Sequence, residues 1–174
     1  MTSIPVIAFA AYSGTGKTTL IEKVIRCLTE KGLRLAVVKQ DAHRIQIDKE
    51  GKDSWRFAQA GADVVVVSGP EKTAMIEHRE RTLAQNLTMI RDVDLILVEG
   101  YKNEGIAQIG ICRKATGRGF TAELSRFAAL VTDEPVDTQI PCFGLEDAEG
   151  ISGFILSYTG LDGRTENGAH ALQP

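Results

Sequence analysis

The sequence predicts a three-layer α/β fold, with a mostly parallel central sheet and an added antiparallel hairpin. Two observations point there. Short unbroken apolar runs alternate with segments of helical period, the pattern of parallel strands covered on both faces by helices. A length of 174 residues, 43% hydrophobic and 25% charged, supplies one sizeable core. Residues 1–159 are accordingly read as a single domain. Residues 160–174, rich in Gly, Asn, Asp and Thr, have little to bury and are expected to form a disordered tail.

The elements follow in order. Val6 to Ala10 is an apolar run that reads as a buried strand, and a glycine-containing loop follows from Ala11 to Gly16. From Lys17 to Lys31 the pattern turns helical, with Leu20, Val24 and Leu28 at fourfold spacing and Ile21 and Ile25 beside them. Gly32 is a natural stop. Leu33 to Val38 reads as the next strand, and strand–helix–strand at this spacing makes the two strands parallel. Lys39 to Lys52 is polar and without period, so a functional loop is expected. Asp53 or Ser54 can cap a short helix that Gly61 ends. Val64 to Ser68 and Thr73 to Ile76 flank a Gly-Pro turn, which predicts the hairpin. A helix carrying Leu83, Leu87 and Ile90 precedes a strand from Asp94 to Val98. Ile106 to Cys112 and Phe127 to Val131 read as further strands. Ile151, Phe154, Ile155 and Tyr158 form the apolar face of a last helix.

A formal net charge of −3 gives no broad reason to coat nucleic acid or an anionic membrane. No apolar run approaches the ~20 residues of a membrane span. Cys27, Cys112 and Cys142 are scattered and lack CxxC spacing, which argues against a disulfide framework or zinc site. No basic residue precedes the first apolar stretch, as a signal peptide would want. A cytoplasmic protein is expected.

The strongest motif is Ala11-Tyr12-Ser13-Gly14-Thr15-Gly16-Lys17-Thr18, the phosphate-loop pattern GxxxxGK[ST] with Ala in place of the first Gly. Gly14 and Gly16 let the backbone curl with its N–H groups inward. Those groups and the positive end of the following helix hold phosphate oxygens. Lys17 brings a full charge to the β- and γ-phosphates, and the Thr18 hydroxyl suits Mg²⁺. The motif sits between a strand and a strongly periodic helix, the context it requires, so the three-layer fold is read as a P-loop nucleotide-binding fold.

A second part of such a site is an acid at the carboxyl end of a neighbouring strand. Glu99 is at that end of the 94–98 strand and Asp94 at the other, so Glu99 is chosen as the Mg²⁺-side acid and Gly100 as a close approach to the γ-phosphate. In the polar loop, Asp48 is preferred over Asp41 as a carboxylate to reach the metal or orient a water. His43 lacks a second His at ligand spacing. Asp133, ahead of Pro135 at the end of a buried strand, is in place either to read a base or merely to form a turn.

Taken together, Ser13 to Thr19, then Asp48 with Gly51-Lys52-Asp53-Ser54, then Ala60-Gly61-Ala62, then Asp94 to Lys102 resemble the molybdopterin-guanine dinucleotide biosynthesis adaptor (MobB) family. The likeness runs from about Val6 to Tyr158. Lys39-Gln40-Asp41-Ala42-His43 departs from it, since the family usually has Lys-His and further histidines there. The resemblance implies a cytoplasmic, dimeric, Mg²⁺-dependent GTP-binding protein with weak GTPase activity. It would assist the guanylyltransferase that attaches GMP to molybdopterin. By matching position, Ser13, Gly14, Thr15, Gly16, Lys17, Thr18 and Thr19 would hold phosphates, and Thr18, Asp48 and Glu99 would be the metal set. Lys17, Asp48 and Glu99 form the expected catalytic set, with Gly100 and Asp133 as further nucleotide contacts. GTP over ATP rests on the resemblance. The apolar hairpin edge is where a homodimer would form.

Two other readings remain open at this point. A small-molecule kinase would need an arginine-bearing lid, for which Arg79 and Arg81 are the candidates. A non-catalytic module would bind nucleotide without turnover. No arginine finger is identifiable from the sequence, in keeping with slow hydrolysis.

Overall fold

A computed structural model describes residues 3–41, 45, 47–101 and 104–164. The chain forms β1 (Val6–Ala10), α1 (Lys17–Glu30), β2 (Leu35–Lys39), α2 (Asp53–Gln59), β3 (Val64–Ser68), β4 (Thr73–Glu77), α3 (Leu83–Met89), β5 (Leu95–Glu99), β6 (Gln108–Cys112), β7 (Ala129–Thr132), β8 (Cys142–Phe143) and α4 (Ala148–Thr159). Six strands make one sheet in the order β2-β5-β1-β6-β7-β8, and every ladder in it is parallel. β3 and β4 form a separate antiparallel pair. The expected architecture is thus present. β1 and β2 run parallel as expected but are not neighbours, because β5 lies between them.

Side-chain alternation assigns the two faces of the sheet. Ile7, Phe9, Leu95, Leu97, Ile109, Ile111 and Val131 point to one face. There they meet Leu20, Ile21, Val24 and Leu28 of α1 and Ile151 and Ile155 of α4. On the other face Ala8, Ile96 and Val98 pack against Leu83 and Leu87 of α3. Ala10 and Leu130 pack with Phe127, beside Phe120 and Leu124. The central strands, buried on both sides, are continuous apolar runs for that reason. Gly110 in β6 makes room for Phe127, whose ring lies 2.9 Å from where a Cβ would be.

Two helices start on side-chain caps. Thr82 and Gln85 form a reciprocal capping box at α3. Asp147 accepts from the Gly150 N–H at α4. The domain reaches slightly past residue 159. Leu161 is 5% exposed and joins the α1–α4 core, with its N–H donating to the Leu156 carbonyl. Residues 165–174, the rest of the expected tail, lie outside the described residues, as do His43 and Lys102.

Candidate functional site: a phosphate-type loop

All six parallel strands end at one edge of the sheet, where ligands bind in open α/β folds. There β1 runs into the loop 11–16 and α1. Ala11 is buried and anchors the loop's start. Thr15, 2% exposed, donates its hydroxyl to the Tyr12 carbonyl at 3.1 Å and draws the loop into a tight curl. Gly14 and Gly16 both take φ of 84°, a left-handed backbone disfavoured for any residue with a Cβ.

Gly16 is also the N-cap of α1, and no side chain caps that end. The Leu20 N–H closes the first helical hydrogen bond on the Gly16 carbonyl. The N–H groups of Lys17, Thr18 and Thr19 therefore have no acceptor within the helix. The first turn has no acidic residue, so the dipole of a 14-residue helix is left uncompensated at its positive end.

A cleft of about 440 Å³ opens over this end. It is lined by residues 12–19 together with Lys39, Gln40, Asp41 and Glu99. Ser13, Gly14, Thr15, Gly16, Lys17, Thr18, Thr19 and Glu99 are thus brought to one place. Glu99, the last residue of β5, pairs in register with Phe9 of β1 and Lys39 of β2. Its carboxylate forms an ion pair with the Lys17 ammonium at 3.3 Å, and these side chains are only 12% and 18% exposed. The Lys17 charge is held inside the cleft rather than free in water.

Gly100 follows with φ of 98°, and a Cβ there would lie 2.9 Å from the Gln40 Cβ. Gln40 ties this turn together. Its N–H donates to the Glu99 carbonyl at 2.8 Å, and its side-chain oxygen accepts from the Tyr101 N–H at 3.0 Å. Tyr101, at φ of 51°, is a left-handed non-glycine residue, and its hydroxyl accepts from Asn86 on α3 at 3.3 Å. The turn next to the cleft is therefore linked to a helix on the far face of the sheet.

The remaining expected residues stand elsewhere. Asp48 is not in the cleft lining; its carboxylate accepts from the Lys49 N–H and the Ser54 hydroxyl just ahead of α2. The acid of that loop in the lining is Asp41, the second choice from sequence. Asp133 lies at the same sheet edge but two strands from β1, and accepts from the Lys114 N–H at 2.7 Å. Asp94 is at the opposite end of β5, accepting from the Arg34 N–H. Arg79 and Arg81, the lid candidates for a kinase, both pair with Glu77 on the hairpin, and neither lines the cleft. That pairing, with Arg81 first, holds the Glu77 carboxyl below its ordinary range.

Three residues of the neighbourhood had no role assigned from the sequence, although Arg113 matches a basic position near the family's strand end. Lys39 and Gln40 line the cleft because β2 ends beside Glu99, a register no local pattern shows. Arg113, one residue past β6, sends its Nε to the Thr15 carbonyl at 2.9 Å. The available signal was its position: a cation just beyond the end of an apolar strand.

Fold and loop together define the class, a parallel-sheet α/β protein built around a strand–glycine loop–helix unit. Comparison with known proteins places it more closely. The model of the MobB family, "Molybdopterin guanine dinucleotide synthesis protein B", matches residues 6–133, and the chain belongs to that family. It is 36% identical over 165 residues to the molybdopterin-guanine dinucleotide biosynthesis adapter protein of Escherichia coli K12, covering 90% of this chain and 94% of that protein. The corresponding adapter protein of Haemophilus influenzae Rd is 34% identical over 160 residues, with 89% of each chain covered. The crystal structure of Bacillus subtilis MobB superposes with a TM-score of 0.73 at 25% identity, covering 90% of this chain and 98% of that one.

Proposed function

We propose that the chain is a GTP-binding adapter in molybdopterin guanine dinucleotide biosynthesis, with weak Mg²⁺-dependent GTPase activity. The observation that carries this is the glycine loop at the uncapped start of α1, with Lys17 and Glu99 paired across its cleft. Main-chain N–H groups of residues 14–19 grip the phosphates. Lys17 exchanges its contact with Glu99 for the β- and γ-phosphates and brings a full charge to the bridge.

The donor set fits a hard divalent cation, since the Thr18 hydroxyl and Glu99 carboxylate are oxygen donors lining one cleft. Bound there, Mg²⁺ would neutralise charge on the phosphates. Once Lys17 moves to the nucleotide, the Glu99 carboxylate is released for that task. Asp41 is the second acid within the cleft, and Asp133 is two strands along the same edge, about 10 Å on by ordinary strand spacing.

The adapter role rests on the family and on relatives named for it. It makes a guanylyltransferase acting on molybdopterin the natural partner. All three cysteines are free, and no described helix is long and apolar enough to cross a membrane. Both fit a cytoplasmic setting.

The β3–β4 hairpin supports a homodimer. A lone two-stranded pair is marginal in water. Val64, Val66, Val67 and Met75 on it are nonetheless half exposed. A second copy covering that face would bury them.

The test is a turnover assay with Mg²⁺ and either GTP or ATP, repeated with the guanylyltransferase and molybdopterin present. Slow GTP hydrolysis, poor use of ATP and stimulation of guanylyl transfer support the proposal. Equal use of ATP, or no effect on guanylyl transfer, would overturn it.

A further inference from the structure

We infer that Arg113 is a positioning residue for the phosphate loop: it fixes the Thr15–Gly16 peptide so that the Gly16 N–H faces the cleft. The inference rests on the phosphate-binding reading above and adds to it a residue on a different strand. Arg113 is partly buried and donates from Nε to the Thr15 carbonyl at 2.9 Å. Every peptide bond among the described residues is trans. In a planar trans peptide the carbonyl and the following N–H point in opposite directions. Holding the Thr15 oxygen toward Arg113 therefore turns the Gly16 N–H away from it. Gly16 lines the cleft, whereas Arg113 does not. The carbonyl is held on the protein side and the donor is presented on the ligand side.

The Nη2 end of the Arg113 side chain also comes close to Gly16. A Cβ on Gly16 would meet Nη2 at 3.1 Å and the guanidinium carbon at 3.7 Å. The glycine is thus needed twice over, for its φ of 84° and for the approach of the guanidinium. A planar fork suits this place, because Nε bonds the carbonyl while Nη2 reaches Gly16; a lysine ammonium is a point donor and does not span both.

β6 brings Arg113 there. β6 pairs in parallel with β1, so its end lies beside the loop that leaves β1. The same segment supplies Arg118, whose guanidinium lies 5.4 Å from the Tyr12 ring centre at the loop's start. The Tyr12 carbonyl is held by the Thr15 hydroxyl in the same manner, which turns the Ser13 N–H away from that bond. Two successive carbonyl anchors thus set two amides of the loop, and Arg113 is the anchor that comes from outside it. A charged hydrogen bond of this kind contributes about 1.5–3 kcal/mol, or roughly ten- to a hundredfold in affinity for a ligand that needs the oriented amide.

The test compares wild type with Arg113→Gln by calorimetric titration with Mg²⁺–GTP and with inorganic pyrophosphate, alongside the amide resonance of Gly16. The expected result is a roughly tenfold or greater loss for both ligands, with the Gly16 resonance displaced in the ligand-free protein and its response to ligand reduced. Loss for GTP but not pyrophosphate overturns the inference, because Arg113 would then act on the base. A loss with the Gly16 resonance unmoved overturns it too, leaving only the charge. Wild-type affinity in the variant does the same. Should Arg113→Gln not fold, Arg113→Lys keeps stem and charge and is expected to lose about threefold to tenfold with the same Gly16 displacement; full affinity there counts against the inference. Failure of the wild type itself to bind either ligand overturns the phosphate-binding reading instead.

Discussion

The β1–α1 corner and the β3–β4 hairpin begin from similar sequence, a short run of apolar residues, and end in opposite circumstances. β1 has strands on both sides and helices on both faces, and four of its five residues are buried. β3 has a single partner, and of its residues only Val65 is buried. The first corner is complete by itself. Its loop turns on two left-handed glycines, a conformation that costs glycine no steric strain. The second leaves valines half exposed, the face proposed to meet a second copy. The proposed phosphate site and the proposed dimer face thus occupy different parts of the chain, and each should fail separately.

Lys17→Ala is the sharpest way to break the first without touching the second. It removes the charge and frees Glu99 inside the cleft. Affinity for Mg²⁺–GTP is expected to fall by about a hundredfold or more, with sedimentation unchanged. Gly16→Ala comes next. It forces a Cβ into the left-handed region and onto Arg113, and an equilibrium titration should show roughly a tenfold loss. Glu99→Gln keeps the shape but removes the carboxylate charge, so the Mg²⁺ concentration needed for half-maximal GTP hydrolysis should rise several-fold. On the other region, Val66→Asp places a charge on the half-exposed hairpin face. Analytical ultracentrifugation should show a weakened dimer while GTP affinity stays within about twofold.

The parts of the molecule that are local were readable in advance. β1, the glycine loop and α1 are contiguous and follow one strict pattern, so period and motif located them. Glu99 was recognisable because parallel strands present their carboxyl ends to ligands. The rest depended on register. Whether Asp41 or Asp48 lies nearer the cleft is decided by where β2 stops against β5, and by the Ser54 hydroxyl that occupies Asp48. β8, only Cys142–Phe143, is too short to show a pattern. Leu161 looked like tail because its neighbours are polar, yet it closes the core beneath α4. Arg113 was visible as a residue but its role was not, since the Thr15 carbonyl it holds is 98 residues away in sequence.

The smallest expected effect concerns acid. Arg81 and Arg79 hold the Glu77 carboxyl below its ordinary value of about 4.5. The hairpin's stabilisation by that carboxylate is present above the unfolded value and is lost as pH falls through the lower folded one. Hydrogen exchange at the β3–β4 amides should accelerate relative to the central strands only in that acidic window, and Glu77→Gln should remove the difference.

The loop between β1 and α1 is proposed to hold the phosphates of a guanine nucleotide. Calorimetric titration of the full chain with Mg²⁺–GTP, Mg²⁺–ATP and Mg²⁺–GTP against Lys17→Ala tests it most directly. One saturable site for GTP, at least tenfold weaker binding of ATP and no measurable site in the variant are predicted. Undiminished GTP binding by Lys17→Ala, or the absence of any site in the wild type, would contradict it.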